Sequence, residues 1–217
     1  MVNLSPMTGR LPGSSERTTH WQHVYEGTET DAVSWYQAEP ELSLSLMDAL
    51  GMAPGAGTID VGGGASVLVD RLLARGFSDL TVLDISKSAL HASRQRVGAD
   101  APVTWLAEDL LTWEPRRTFE LWHDRAVFHF LSRREVEEYQ KVLCRAVAPG
   151  GVVIMATFAA DGPERCSGLP VTRYEPHELG AALGPGFEVV EHRRELHATP
   201  RGTLQPFTWV AARRTPI

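Results

Sequence analysis

From Gly57 to about Phe158 the chain alternates short apolar runs with amphipathic ones, and this alternation limits the folds open to it more than any other feature. "GTIDV" (57–61) predicts a first strand. "SVLVDRLLARG" (66–76) predicts a helix in which Leu68, Leu72 and Leu73 share one face and Gly76 caps the end. "LTVLDI" (80–85) is a second strand, and Ser86 can cap the helix "KSALHASRQRV" (87–97). "VTWLAEDL" (103–110) and "FELWHD" (119–124) follow as third and fourth strands. Ser132 and Glu135 have capping-box spacing before a helix that carries Val136, Tyr139, Leu143, Ala146 and Val147 at helical intervals, stopped by Pro149-Gly150-Gly151. "VVIMATF" (152–158) is apolar enough to be buried on both faces as a fifth strand. Such alternation implies an α/β fold: a mostly parallel, doubly wound sheet with ligands at the carboxyl ends of its strands.

The two ends read differently. Residues 1–19 are rich in Ser, Thr, Gly and Pro and hold no apolar run resembling a signal peptide, so a disordered leader is expected. Residues 20–50 carry Trp21, Tyr25, Trp35 and Tyr36 and then "ELSLSLMDALG", which reads as a helical cap or lid over a single domain at 51–217. "FEVVEHRRELHATP" (187–200) and "QPFTWVAARR" (205–214) predict an antiparallel C-terminal hairpin. A net charge of −6 argues against generic binding to nucleic acid, which needs a basic face. Runs such as Val152–Met155 are too short to span a bilayer. Cys144 and Cys166 form neither a disulfide framework nor a metal-ligand spacing, so no metal and a cytoplasmic location are expected.

The glycine loop "TIDVGGGAS" (58–66) poses the functional question. Gly62, Gly63 and Gly64 let a ligand approach the main chain, and a helix starting near Ala65–Ser66 would aim free N–H groups at the same place. Asp84 ends the second strand, where a carboxylate can accept from both hydroxyls of a ribose. A dinucleotide and an adenosyl cofactor are served equally so far. Two details separate them. Counting from Gly62, the sixth position of G-x-G-x-x-G is Val67 rather than glycine, which disfavours a dehydrogenase. Asp60 stands two residues before Gly62, where a negative charge would repel a pyrophosphate and attract a cationic amino-acid moiety.

"TIDVGGGAS", "LTVLDIS", "LAEDLL", "FELWHDRAVFHFL" and "APGGVVIMATF" resemble, in order and spacing, the motifs of class I S-adenosylmethionine-dependent methyltransferases, with a Rossmann-like sheet. "HWQHVYEG…VSWYQ" and "WHDRAVFHFL" further resemble small bacterial members related to the thiopurine S-methyltransferase group. One departure is Ser66 in place of the usual third alternating glycine. The resemblance implies S-adenosylmethionine as cofactor, with S-adenosylhomocysteine as product. It implies Asp60 at the cofactor amine, Asp84 with Ile85 at the ribose, Asp109 at the adenine amino group and Leu110 against the ring. It also puts Trp21, Tyr25, Trp35 and Tyr36 over the cofactor, where they serve equally well as core of the cap. The segment His123 through His129 would pass beneath the reactive methyl.

Methyl transfer is an in-line displacement, so the protein mainly positions the two partners and excludes water. His129 is the candidate base for a hydroxyl or ammonium acceptor, against a structural histidine bonded to backbone. Asp124 and Arg125 are candidates for catalysis and acceptor contact, or for an ion pair at the strand end. "DGPERCSGLPVTRY" (161–174) is expected to wall the acceptor, with Arg173 as a candidate anion contact; Cys166 there is expected to be inert. His192 and His197 read as surface or edge-strand residues. The acceptor is expected to be a small molecule methylated at N, O, S or Se, bound by a monomer or homodimer. Protein lysine methylation and a non-catalytic cofactor-binding protein are the alternatives. Base methylation fits less well, because "HDRA" replaces the Asn/Asp-Pro-Pro-aromatic run that grips a flipped amino group.

Overall fold

A computed structural model describes residues 13–216. Its helices and strands are α1 (Ser14–Gly27), α2 (Glu41–Ala49), β1 (Thr58–Val61), α3 (Leu68–Ala74), β2 (Leu80–Asp84), α4 (Lys87–Val97), β3 (Val103–Ala107) and β4 (Phe119–Arg125). After these come α5 (Arg133–Ala146), β5 (Val147–Phe158), β6 (Arg165–Cys166), β7 (Leu169–Pro170), α6 (Pro176–Ala182), β8 (Phe187–Ala198) and β9 (Leu204–Arg214). Seven strands form one sheet in the order β3-β2-β1-β4-β5-β9-β8. The pairs from β3 through β5 are parallel, while β9 runs antiparallel to both β5 and β8. This is the expected doubly wound sheet with its C-terminal hairpin. Strand order reverses between β1 and β4, which opens a crevice at their carboxyl ends.

Period-2 alternation gives each central strand two buried faces. On β5, Val153 and Met155 pack with Trp122, Tyr139 and Leu143, whereas Ile154 and Ala156 pack with Met47, Leu68 and Trp209. Each large apolar side chain so buried contributes about 1.5–3 kcal/mol. Ser132 accepts from the Glu135 N–H and Glu135 returns a carboxylate to the Ser132 N–H, so α5 starts at its expected capping box.

Several boundaries move for local reasons. Residues 1–12 of the expected leader lie outside the described residues, but residues 14–19 are helical. Glu16 accepts from the Gly13 N–H, and the Thr18 and Thr19 hydroxyls donate back to the Ser14 and Ser15 carbonyls, giving this polar stretch a helical start. α3 begins at Leu68, later than expected, because Ser66 N–H closes a turn on the Gly63 carbonyl and Ser66 Oγ accepts from Leu68 N–H. β3 ends at Ala107, since the Asp109 carboxylate takes the Leu111 N–H and turns the chain. α5 ends at Ala146, before Pro149-Gly150-Gly151. Those three residues sit inside β5, where the register jumps from Phe119↔Val147 to Leu121↔Val152.

Candidate active site

The loop after β1 is packed too closely to admit side chains. Gly62 has φ +66°, and a Cβ there would lie 2.0 Å from Val127 Cγ2. At Gly63 a Cβ would meet Asp60 Oδ2 at 2.4 Å, and at Gly64 it would meet Asp84 Oδ2 at 2.7 Å. The glycines therefore let the Asp60 and Asp84 carboxylates lie directly against the turn. The seven-residue α3 starts too far along for its free N–H groups to begin at Ala65, so the expected helix N-terminus is displaced.

A larger and a smaller cavity adjoin at this point, and Tyr25, Trp35, Val61, Gly62 and Arg125 line both. Asp84, Ile85, Asp109 and Leu110 line the larger one together with Trp21. Asp60, Gly63, His123 and Tyr36 line the smaller one. Gly64, packed behind Asp84 and Tyr25, lines neither.

Asp84 Oδ1 accepts the Ser86 N–H at 2.7 Å. Burial still pushes its carboxyl up to about 7, opposed by hydrogen bonds from the backbone and aided by the nearby Asp60. Asp109 moves the other way. Burial opposes ionisation, but hydrogen bonds from Ser14 and the Leu111 N–H and the Arg17 guanidinium 3.2 Å away hold it below the usual carboxylate range. Asp60 Oδ1 lies 2.7 Å from His123 Nδ1, and His123 Nε2 lies 2.9 Å from Ser43 Oγ, all three groups buried. The aromatic set stacks edge to face: Trp21 lies 5.7 Å from Trp35 and 5.1 Å from Phe130 between centroids, and Trp35 Nε1 donates to Tyr25 OH.

The expected catalytic residues are placed differently. His129 is fully buried and lines neither cavity; its Nδ1 accepts the Phe158 N–H and its ring packs on Phe130 and Phe158. Burial first, and the Arg125 charge second, lower it to about 3. A neutral, enclosed imidazole of this kind is a poor base. Asp124 is also fully buried outside both cavities. It accepts the Val127 and Phe128 N–H groups and the Tyr139 hydroxyl, fixing the turn after β4 instead of facing a reactant. Arg173 is spent inside its own loop on the Gly162 carbonyl and Glu164 and lines neither cavity. The loop does wall the larger cavity, through Cys166, whose thiol burial pushes up to about 12. His192 is exposed, whereas His197 is buried against the Ser34 carbonyl and ties the cap to β8.

Residues 59–153 match the protein-family model described as a methyltransferase domain. The matched stretch runs from β1 into β5 and so contains the glycine loop, Asp84 and Asp109. Nodulation protein S from Rhizobium tropici is 26% identical over 115 residues, covering 52% of this chain and 47% of that protein. The chain spans about half the length of the curated relatives it matches. Among solved structures, a SAM-dependent methyltransferase from Anabaena variabilis superposes with a TM-score of 0.74 at 16% identity, covering 98% of this chain and all of the other (100%). The 1,6-didemethyltoxoflavin-N1-methyltransferase of Burkholderia thailandensis, with bound 1,6-didemethyltoxoflavin and S-adenosylhomocysteine, gives 0.72 at 20% identity over 97% and 94% of the two chains. These structures share the fold of the present chain, parallel sheet and C-terminal hairpin together.

Two residues at the site escaped the sequence reading. Arg17 reaches from α1 to both Asp109 and Glu135. Ser43 closes the hydrogen-bonded row behind Asp60. Arg17 fell within the expected leader, and neither pairing leaves a local sequence signal, since the partners lie 92, 118 and 80 residues away. Among the described residues no group of His, Cys, Asp and Glu could hold a metal ion, and no helix is long and apolar enough to cross a membrane.

Proposed function

We propose that the chain is an S-adenosylmethionine-dependent methyltransferase acting on a small molecule. One observation carries the reading: the glycine turn separates two buried carboxylates, Asp84 against the larger cavity and Asp60 against the smaller. The donor set suits this cofactor. Asp84 would take the ribose hydroxyls with Ile85 beside it, Asp109 the adenine amino group with Leu110 on the ring, and Asp60, braced by His123, the ammonium group. Bound S-adenosylmethionine supplies an electrophilic methyl on a positively charged sulfur. Trp21, Tyr25, Trp35 and Tyr36 offer faces for that cation and keep water from it.

Among the described residues no histidine lines the larger cavity, and burial raises the Cys166 thiol there to about 12. The site thus favours acceptors that need no proton removed in place, such as a thiolate, selenolate or neutral ring nitrogen. The aromatic wall around "HWQHVYEG…VSWYQ" is what supports the finer likeness to thiopurine S-methyltransferase relatives. A monomer or homodimer working in the cytoplasm without nucleic acid or membrane fits the modest negative charge and the two free cysteines. Lysine methylation would need a groove admitting a protein side chain, and a non-catalytic binder would hold cofactor without turnover. Calorimetric titration with S-adenosylhomocysteine, run beside NAD and NADP, tests the reading. Saturable binding of the homocysteine compound alone supports it, and binding of a dinucleotide instead overturns it.

A further inference from the structure

Arg125 carries a charge that the fold does not use up. Its side chain is 10% exposed and stands where the two cavities meet. Nη1 donates to the Trp35 carbonyl at 2.9 Å, and the guanidinium carbon sits 4.6 Å over the Phe207 ring, so its position is fixed from two sides. Nε and Nη2, both buried, have no hydrogen-bond partner. These two nitrogens carry parallel N–H bonds along one edge of the guanidinium, the fork that matches the two oxygens of a carboxylate. Glu195 is the nearby counter-charge, but its Oε2 is 4.0 Å from Nη2. Its oxygens are already taken, Oε1 by Gln37 and Oε2 by Trp209. A buried guanidinium with an idle fork is costly to hold, and a ligand that supplies both acceptors removes that cost.

We infer that the methyl acceptor carries a carboxylate, held side-on by Nε and Nη2 of Arg125. The surroundings fix the rest of its character. Trp21, Tyr25, Trp35 and Phe130 give the larger cavity flat apolar walls, while Cys166 adds an uncharged thiol. A planar ring bearing one carboxylate fits that lining. This inference rests on the cofactor reading above, with the adenosyl group at Asp84 and Asp109 and the acceptor in the part of the larger cavity lined by Trp21, Phe130 and Cys166; recognition of the carboxylate by Arg125 can be tested without any turnover.

The probes are benzoate and its neutral isostere benzamide, titrated by calorimetry into the full chain with and without saturating S-adenosylhomocysteine. Wild type is expected to bind benzoate roughly ten- to a hundred-fold more tightly than benzamide, the range for a hydrogen bond to a charged group. Arg125→Lys keeps the charge and loses the fork, so most of that preference should vanish while benzamide affinity stays. Glu195→Gln removes the one opposing carboxylate and should tighten benzoate a few-fold without touching benzamide, which keeps the test open if Arg125 variants fail to fold. Equal affinity for the two probes in wild type overturns the inference, as does a preference that survives in Arg125→Lys. If S-adenosylhomocysteine does not bind while the benzoate preference is present, the cofactor reading fails and the carboxylate site stands. If S-adenosylhomocysteine binds and the preference is absent, the reverse holds.

Discussion

Asp60 and His123 are register partners across β1 and β4, and a 2.7 Å hydrogen bond joins their side chains inside the sheet. Ser43 of α2 completes the row from the other side of the imidazole, so the cap helix and the two central strands share one polar seam.

Replacing His123 by Phe leaves both Asp60 and Ser43 buried without their partner. The expected loss is about 2 kcal/mol of stability, read as a lower urea midpoint at unchanged slope. An unchanged midpoint would show that the seam holds nothing together.

With Asp84 on the ribose, as proposed, cofactor binding would depend on pH. Its carboxyl is raised to about 7 in the folded protein against an ordinary value of 3.8, so the native state keeps a proton that the unfolded chain has released between those values. For this group stability falls as pH rises toward 7, while affinity for a ribose that wants the carboxylate rises. S-adenosylhomocysteine affinity should drop by roughly ten-fold for each pH unit below about 7, and Asp84→Asn should bind weakly at every pH. A flat profile in the wild type would place the ribose contact elsewhere.

His129 acts in the opposite sense on stability. Its pKa is lowered from 6.5 to about 3 by burial, so the unfolded chain gains a proton that the native state refuses as pH falls below 6.5. The wild type should lose roughly 1.4 kcal/mol per pH unit through that window from this group, and His129→Phe should flatten the curve. With an acceptor in hand, the same variant should keep its rate. A rate that collapses while folding persists would restore His129 as a base.

Arg17 fastens α1 over the site through Asp109 and Glu135, with its side chain 14% exposed. Arg17→Ala should weaken S-adenosylhomocysteine binding roughly five-fold, about 1 kcal/mol, and speed hydrogen exchange across residues 14–27. Exchange that stays slow would mean that the Trp21 and Gln22 contacts hold the helix unaided.

Gly62→Ala puts a methyl 2.0 Å from Val127 Cγ2 and an L-residue at φ +66°. A loss of about 3 kcal/mol is expected. Val127→Ala in the same chain should recover all but the backbone part, about 1–2 kcal/mol. Thermal unfolding of the single and double variants reads both.

The sheet was legible because its strands are short, apolar and bounded by Gly, Pro and Asp, and because a parallel order follows from their alternation with helices. The strand-end carboxylates Asp60 and Asp84 were legible for the same reason: topology alone brings them to one crevice. The start of α1, residues 14–19, was not legible, since the helix buries no residue completely and is held by polar contacts to distant partners. His129 shows the other limit. Four residues past the end of β4 it stands beside residues that line the cavity, and only packing against Phe158 reveals that it points away from the site.

The position of β9 between β5 and β8 bears on how the molecule is made. During synthesis β5, apolar on both faces, is finished well before the segment that will cover its outer edge. Until residues 204–214 emerge, the nascent chain presents an unpaired row of backbone groups on its most apolar strand, with Phe158 and Trp122 awaiting closure. Expression yield should therefore respond to chaperone supply and translation speed late in the message, at codons far from any residue that touches a ligand.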